Sequence, residues 1–520
     1  GGGDAPPPAL VLTLHGASVE AIGQADAYAG KDWCHIVAPT NRRPYGFDWE
    51  DWGRLDALEV LDLAKTDLHT DPMRTYLTGH SMGGHGTWQV GATVPDRWAA
   101  IAPSAGWISF STYGGGRPAE NPTPMQAMLQ RAAAPSDTAS LAHNYAAYGV
   151  YVLHGDADDN VPVGQARAMR QLLGTFHPDF CYYERPGAGH WWGNACVDWP
   201  PLFEFLARHT LTPIEKVRQV DFTTAAPSAS ASMNWARIDA QVHPFQYSTV
   251  HLRCDPDKRR FIGTTDNVAR LALDLAPLKP GDPVQAELDD QKIDNIVWPE
   301  KESRLWFGHE HGKWSVTDAP SSAVKNADRS GPFKDAFRNR VLFVYGTKGT
   351  AEENAWALAK ARFDAETFWY RGNASVDVVP DTAFDADKER DRNVVLYGHA
   401  DGNAAWKPLL GDGPVQVLRG SVQVDDRKEA GDDLACVFVR PRPGSDRALV
   451  GVVAGAGVAG MRLTDHLAYF LSGAEYPDCL VFGPEVLARG AEGVRAAGFF
   501  GPDWGVASGE FVWGEKKGAK

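Results

Sequence analysis

A serine set between glycines, directly after an apolar run, is the feature that most constrains this chain. The residues from Tyr76 to Gly86 read YLTGHSMGGHG, and Gly79, Ser81 and Gly83 fill the pattern G-x-S-x-G. A short apolar strand leads into the pattern and a helical run follows it, as in a nucleophile elbow, where a strained turn lifts one hydroxyl above a parallel sheet and onto a helix N-terminus. The pattern therefore predicts Ser81 as a nucleophile.

A nucleophilic serine needs a base that accepts its proton and a carboxylate that holds the base. The strand-like run at 148–153 ends in a turn rich in carboxylates, which makes Asp158 the candidate acid and leaves Asp156 and Asp159 as rivals. The alternative role of each is that of a solvated turn carboxylate capping the next helix. A glycine-flanked loop further on carries His190, the candidate base, whose alternative is a loop histidine packed by tryptophans.

These motifs resemble those of the α/β-hydrolases of the prolyl oligopeptidase and dienelactone hydrolase type, where the acid lies in an H-G-x-x-D-x-x-V-P turn and the histidine follows a glycine. Matched residue by residue, the run HGDADDNVP at 154–162 has Asp158 at the acid position. The chain order Ser81, Asp158, His190 is also that of this superfamily. The resemblance covers the first domain and implies a Ser-His-Asp triad on an α/β-hydrolase fold.

Acyl transfer also needs donors for the oxyanion, and two backbone N–H groups usually supply them. The position after the nucleophile makes Met82 one candidate donor. The other is expected from the loop after the first strand, where His15-Gly16-Ala17-Ser18 looks like the HG-type loop of the superfamily and Ala17 is the first choice. We interpret His15 as a structural residue that bridges loops.

Three tryptophans near the predicted triad are candidates for a substrate-binding wall. Trp107 follows the strand predicted at 100–104, and Trp191 and Trp192 come directly after the base. An aromatic acyl group would stack on such rings. The alternative for each tryptophan is ordinary packing, because tryptophans are commonly buried.

Length and patterning predict three domains, because 520 residues exceed one core at roughly 100 to 200 residues per domain. Residues 1–213 alternate strand-like and helix-like runs, as a parallel sheet requires, and form the predicted α/β-hydrolase catalytic domain. Residues 214–325 carry short alternating runs separated by Pro, Gly and Asp, which predict a β-sandwich. Residues 326–520 return to an α/β pattern without G-x-S-x-G, so we expect a second, non-catalytic open-sheet domain.

Three further patterns in the later domains are incomplete forms of ligand-binding motifs. The glycines at 455–460 lie late in their domain and lack a ribose-binding acid, which favours tight helix packing over dinucleotide binding. The run 346–350 lacks the phosphate-loop spacing and predicts a plain turn. His309 and His311 have no further ligands nearby in sequence, which favours an exposed strand or turn over a metal site.

Composition argues against several classes of partner. A formal net charge of −15 without a run of Lys and Arg argues against nucleic acid. No apolar run approaches the roughly 20 residues that span a bilayer, and the run Gly1–Pro8 lacks the basic and apolar regions of a signal peptide. The six cysteines show no C-x-x-C spacing, which argues against a metal cluster, and we expect neither a metal nor a cofactor. Cys181 and Cys196 bracket the base, either as a bridge or as separate thiols.

The sequence thus predicts a serine hydrolase that cleaves carboxylic esters through an acyl-enzyme. The resemblance implies aryl or feruloyl, acetyl or polyester substrates, either small or attached to a polymer. The first alternative is a serine peptidase of the prolyl oligopeptidase type, disfavoured because neither a preceding propeller nor an acidic pair for a peptide N-terminus is evident. The second is a binding or scaffold protein with a secondary hydrolase domain. The 18 tryptophans favour an exported, carbohydrate-related protein, secreted or periplasmic, whereas the cysteines leave the compartment open, and the oligomeric state stays open as well.

Overall fold

The computed structural model describes residues 6–114, 119–300 and 302–514, which form two compact units. Unit 1 consists of the described residues within Gly1–Arg117, Pro135–Val242 and Tyr247–Asp318, and unit 2 of those within Pro118–Ala134, His243–Gln246 and Ala319–Lys520. The chain therefore passes between the units five times, and the boundary predicted at residue 213 lies inside unit 1. The first five residues of the run considered for a signal peptide lie outside the described residues.

The N-terminal half of unit 1 is built on a sheet of six strands. These are β1 (Ala9–Leu14), β2 (Cys34–Val37), β3 (Thr75–His80), β4 (Ala100–Ser104), β5 (Gly149–Gly155) and β6 (Phe180–Arg185). Their spatial order is β2-β1-β3-β4-β5-β6, and every neighbouring pair is parallel. All residues of β1, β3, β4 and β5 are buried, as expected for central strands covered on both faces. The architecture confirms the predicted α/β-hydrolase fold.

The helices that follow along the same stretch of sequence are α1 (Ala21–Ala25), α2 (Asp51–Asp67), α3 (Met82–Thr93), α4 (Phe110–Tyr113), α5 (Pro124–Ala132), α6 (Gly164–Leu173) and α7 (Pro200–Ala207), and all but α5 belong to unit 1. Helix α3 is buried along its whole length and begins two residues after β3 ends. Because the strands are parallel, their carboxyl ends meet at one edge of the sheet. The segments that follow β1, β3, β4, β5 and β6 gather at that edge.

The C-terminal half of unit 1 has the predicted sandwich-like pair of sheets. Its strands are β7 (Gln219–Thr224), β8 (Ser232–Met233), β9 (Ala236–Gln241), β10 (Ser248–Asp255), β11 (Arg260–Asp266), β12 (Val268–Asp274), β13 (Val284–Leu288), β14 (Gln291–Ile296), β15 (Arg304–Glu310) and β16 (Lys313–Thr317). One sheet has the order β14-β13-β11-β10-β7 and the other β16-β15-β12-β9-β8. Side chains from both sheets, such as Phe222, Phe261, Leu271 and Phe307, share one buried core.

Unit 2 contains a second α/β sheet. Its strands and helices are β17 (Val341–Tyr345), α8 (Ala351–Gly372), β18 (Asp377–Pro380), β19 (Asn393–Tyr397), α9 (Trp406–Leu410), β20 (Val415–Leu418), β21 (Ser421–Val424), β22 (Arg427–Ala430), β23 (Ala435–Pro441), β24 (Leu449–Gly455), α10 (Val458–Leu463), β25 (Cys479–Phe482), α11 (Val486–Arg489), β26 (Val494–Phe499) and β27 (Glu510–Trp513). The main sheet has eight strands in the order β18-β17-β19-β24-β23-β25-β26-β27. The first four are parallel and the others antiparallel, and β20, β21 and β22 form a separate small sheet.

Helix α5 belongs to unit 2, although its sequence lies between β4 and β5 of the hydrolase sheet. Thr123 caps the helix and forms a capping box with Gln126. The guanidinium of Arg131 lies 5.1 Å from the centre of the Phe499 ring and pairs with Glu510. The helix is therefore held by the last two strands of the chain.

The state of the cysteines and the character of the helices bear on two further expectations, a bridge between Cys181 and Cys196 and the absence of a membrane span. All six cysteines lie in the described ranges as free thiols, with Cys181 exposed and Cys196 buried. Cys196 Sγ accepts a hydrogen bond from the Trp192 N–H. In the described ranges, no helix combines the length and the apolar character that crossing a membrane requires.

Candidate active site

The turn between β3 and α3 has the conformation of a nucleophile elbow. Ser81 has φ 61° and ψ −119°, a combination that non-glycine residues rarely adopt and that a functional turn can retain under strain. A Cβ atom built on Gly83 would lie 1.9 Å from the Leu14 carbonyl oxygen, so only glycine fits there. The Ser81 N–H donates to the Ser104 carbonyl over 2.9 Å, which ties the turn to β4.

The structure brings the three predicted triad residues together at the carboxyl edge of the sheet. His190 Nε2 lies 2.8 Å from Ser81 Oγ, and His190 Nδ1 lies 2.8 Å from Asp158 Oδ2. The exposed fraction of the His190 side chain is 18%, whereas Asp158 is completely buried. In this arrangement the carboxylate accepts the Nδ1 proton, so that Nε2 is free to accept the proton of the serine hydroxyl.

Asp158 is the candidate carboxylate that contacts His190. Its other carboxylate oxygen, Oδ1, accepts hydrogen bonds from the N–H groups of Asn160 and Val161, each over 2.9 Å. Burial by itself would raise the pKa of Asp158, but the hydrogen bonds from His154, His190 and the two N–H groups outweigh it and hold this pKa well below its usual range. The rival Asp156 is exposed and accepts the Gly187 N–H over 2.6 Å, and Asp159 is also exposed.

His154 is a second histidine on Asp158, and we did not predict it. Its Nε2 lies 2.9 Å from the Val161 carbonyl oxygen and 3.2 Å from Asp158 Oδ2. Since both partners are acceptors, Nε2 carries a proton, and its hydrogen bonds hold the turn that bears Asp158. The signal was present in the sequence, because His154 is the first residue of the H-G-x-x-D run.

His80 connects the nucleophile strand to the loop of the base, which the sequence also did not reveal. Its Nε2 lies 2.8 Å from the His190 carbonyl oxygen, and the two imidazole rings are 4.8 Å apart. Burial lowers the pKa of His80 to about 3, and the nearby His190 adds to this effect. His80 is therefore neutral at pH 7, with Nε2–H as the donor that holds the His190 backbone.

The low pKa of His80 predicts acid-sensitive stability. The folded value of about 3 lies below the ordinary 6.5, so the stability it carries is complete above pH 6.5 and is lost as the pH falls toward 3. At about 1.4 kcal/mol per pKa unit, the free energy of unfolding should fall by roughly 3 kcal/mol from pH 7 to pH 4 through this residue. His80→Gln keeps an N–H donor and removes the titration. Chemical denaturation at both pH values should therefore show a smaller fall in the variant, and equal falls would refute the assignment.

The predicted oxyanion donors lie in segments beside Ser81. A Cβ atom built on Gly16, next to Ala17, would lie 3.5 Å from Ser81 Cβ, so the loop after β1 adjoins the nucleophile. His15 bridges this loop to the Thr40 carbonyl over 3.0 Å. Among the described residues, the N–H groups of Ala17 and Met82 have no hydrogen-bond acceptor, which leaves both available to a ligand oxygen.

The three tryptophans differ in their environments. Trp191 is 51% exposed and packs edge-on against His80. Trp192 is half-buried, with the Arg185 guanidinium 4.4 Å from its ring centre and Trp199 at its edge. Trp107 is 5% exposed and stacks on Tyr113, whose ring is 37% exposed. Tyr113 is thus a surface ring next to a predicted wall residue, and the sequence pattern alone did not single it out.

The incomplete motifs of the later domains have structural roles. A Cβ atom on Gly455 would lie 2.1 Å from the Met461 nitrogen, and one on Gly460 would lie 2.0 Å from the Leu434 carbonyl oxygen, so these glycines allow close packing of α10. Thr350 caps α8 in a capping box with Glu353. His309 stacks on Trp314, and the residues that the structure describes include no group of three or more His, Cys, Asp or Glu suited to a metal ion.

Residues 42–210 match the prolyl oligopeptidase family. Together with the parallel sheet, this match shows that the first part of the chain is similar to serine hydrolases of that family, on an α/β-hydrolase fold. An uncharacterised secreted protein of Arthroderma benhamiae is 25% identical over 537 residues, covering 97% of this chain and 56% of that protein. The chain thus spans little more than half the length of this relative.

Solved structures similar to the chain include three hydrolases. An S-formylglutathione hydrolase from Agrobacterium tumefaciens is 16% identical, with 40% of this chain and 86% of that chain covered and a TM-score of 0.32. A thermostable esterase is 20% identical, with 39% and 56% covered and a TM-score of 0.30. A putative dipeptidyl aminopeptidase IV from Bacteroides ovatus is 14% identical, with 39% and 32% covered and a TM-score of 0.33.

Proposed function

We propose that this chain, whose first part is similar to the prolyl oligopeptidase family, cleaves carboxylic esters through an acyl-enzyme on Ser81. The observation that carries the proposal is the unbroken hydrogen-bond chain from Ser81 Oγ through His190 to Asp158, with both links at 2.8 Å. Such a chain activates a serine hydroxyl and leaves it poised to attack a carbonyl carbon.

In the proposed reaction His190 accepts the Ser81 proton as Oγ attacks the ester carbonyl carbon. The N–H groups of Ala17 and Met82 stabilise the oxyanion of the tetrahedral intermediate. His190 then donates the proton to the leaving alcohol, and the acyl group stays on Ser81. A water molecule, deprotonated by His190, then attacks the carbonyl carbon of this acyl-enzyme. The bond between that carbon and Ser81 Oγ breaks, Oγ takes the proton back from His190, and the acid is released. Asp158 holds the imidazole in one orientation and stabilises the imidazolium that forms twice in the cycle.

The proposed substrates carry an aromatic acyl group, small or attached to a polymer. The exposed ring of Trp191 packs against His80, whose ring lies beside that of His190. Tyr113 stacks on Trp107 and carries this pair of rings to the surface. Such rings favour planar acyl groups. Trp192 supports the loop of the base through its own packing. We also propose secretion, by analogy with the relative named a secreted protein.

A substrate panel with active-site labelling tests the proposal. Methyl ferulate, p-nitrophenyl acetate and a prolyl-peptide anilide are offered in parallel, and Ser81 is labelled with a fluorophosphonate. We expect labelling and turnover of both esters, with a kcat/KM for methyl ferulate at least tenfold above that for the anilide. Turnover of the anilide alone would establish a peptidase, the activity that the family name suggests. A protein that neither reacts with the probe nor turns over any substrate would be a binding protein.

A further inference from the structure

His85, on the helix after the nucleophile, lies in a buried polar cluster. The backbone N–H of His85 donates to the Ser81 carbonyl over 3.0 Å, so it stands one helical turn after the nucleophile. The His85 side chain is completely buried, and Glu50, just before α2, is 3% exposed. His85 Nε2 lies 3.0 Å from Glu50 Oε1, and the other Glu50 oxygen accepts a hydrogen bond from the Ser136 hydroxyl.

The partners of the two ring nitrogens determine the protonation of His85. Nδ1 lies 3.2 Å from the Trp107 carbonyl oxygen, which can only accept a hydrogen bond. Nε2 faces a carboxylate oxygen, which accepts as well when Glu50 is ionised. A neutral imidazole has one N–H and leaves one of these contacts unmade, whereas an imidazolium makes both. The positive charge that results is compensated by Glu50, as a buried charge requires.

His85 also holds the ring of Trp107. The two ring centres are 4.7 Å apart with an interplanar angle of 9°, and Tyr113 stacks with Trp107 at 4.7 Å and 11°. A cation on the face of an indole is attracted by the ring electrons. Burial, and then the negative charges of Asp158 and Asp48, raise the pKa of Tyr113. One residue therefore fixes both the backbone and the ring of Trp107.

We propose that His85 is a positioning residue of the hydrolase site: as an imidazolium paired with Glu50, it fixes the Trp107 and Tyr113 stack as a binding surface for an aromatic acyl group. The residue touches no reacting atom and acts through Trp107. Its kinetic consequence rests on the proposed ester hydrolysis, whereas its protonation state does not.

Kinetics of variants test the positioning role. Glu50→Gln removes the counter-charge and with it the cation on the Trp107 ring, because a neutral His85 then accepts from the Gln amide and still donates to Trp107. His85→Gln removes the stacked ring itself. In each variant, KM for methyl ferulate should rise about tenfold. The kcat for p-nitrophenyl acetate, whose acyl group is too small to need the stack, should change less than threefold. Thr87→Val is the matched control, because Thr87 lies buried on α3 and its hydroxyl donates to the Gly83 carbonyl of the same helix. Equal losses of kcat on both esters would mean a merely structural role and would overturn the proposal.

Neutron diffraction of the wild-type protein tests the protonation state without any variant. We expect a deuteron on both ring nitrogens of His85 and none on the Glu50 carboxylate. A single ring deuteron would overturn the proposal, even if both variants failed to fold. Wild-type protein that hydrolyses neither ester, yet carries two deuterons on His85, would refute the proposed ester hydrolysis and retain the ion pair. The failure of each hypothesis is therefore recognised separately.

Discussion

Replacing Ser81 with alanine is expected to lower kcat for p-nitrophenyl acetate by a factor of at least about 10⁴, because no other group in the triad can form the acyl bond. The substitution removes one oxygen atom that lies 2.8 Å from His190 Nε2. Alanine meets the same positive φ of 61° as the serine, so the turn itself should persist. Initial rates at saturating substrate, together with loss of fluorophosphonate labelling, check the expectation.

The matched control for this variant is Ser140→Ala. Ser140 is exposed, and its hydroxyl donates a hydrogen bond to the Asp137 carboxylate of its own turn. Its kcat should stay within twofold of the wild-type value. If Ser81→Ala retained more than a tenth of the wild-type kcat, the nucleophile would have to be another group, and the acyl-enzyme mechanism on Ser81 would be wrong.

Asp158→Asn should have the second largest effect, a decrease in kcat of about 10³ to 10⁴. The amide keeps the size of the carboxylate but loses its charge, so the imidazolium formed during proton transfer is no longer stabilised. The amide NH₂ can also face His190 Nδ1, which favours the wrong tautomer of the base. Steady-state kinetics on p-nitrophenyl acetate measure the loss, and circular dichroism verifies that the fold is kept.

The neighbouring carboxylates serve as controls for this second experiment. Asp156→Asn and Asp159→Asn each remove one negative charge, as Asp158→Asn does, but at exposed positions of the same turn. Both variants should keep kcat within threefold. A large loss in Asp156→Asn with little loss in Asp158→Asn would reverse the assignment of the acid, and equal losses in all three would point to the overall charge of the turn.

Local patterns were sufficient to predict the first sheet and the elbow. The apolar run 100–104 coincides with β4. The glycines around Ser81 predicted the turn because the backbone there passes so close to other atoms that a side chain would not fit. The last turns of α8, which ends at Gly372, carry exposed aromatic side chains, and these weaken the amphipathic pattern by which a helix end could be located. Periodicity locates elements well and their ends less well.

The supporting contacts of the candidate site could not be predicted, because they join distant parts of the chain. Glu50 and His85 are 35 positions apart, and Glu50 lies in an irregular segment without periodicity. His80 reaches the His190 backbone across 110 positions, and nothing in the G-x-S-x-G pattern requires a histidine at that place. His154 differs, because a motif includes it; its role there becomes apparent only from its two acceptors.

The route of the chain through two units limits how this protein can be divided or recombined. Helix α5 is encoded within the hydrolase sequence, yet its buried Met125 and Met128 belong to unit 2, where the helix packs against β26 and β27. A chain cut after residue 318 would lack those strands and leave the apolar side of α5 exposed to water. Simple end-to-end gene fusion does not produce such an arrangement. Substitutions in α5 and in β26 and β27 are thus expected to be correlated among homologous chains, even where the rest of the sequence diverges.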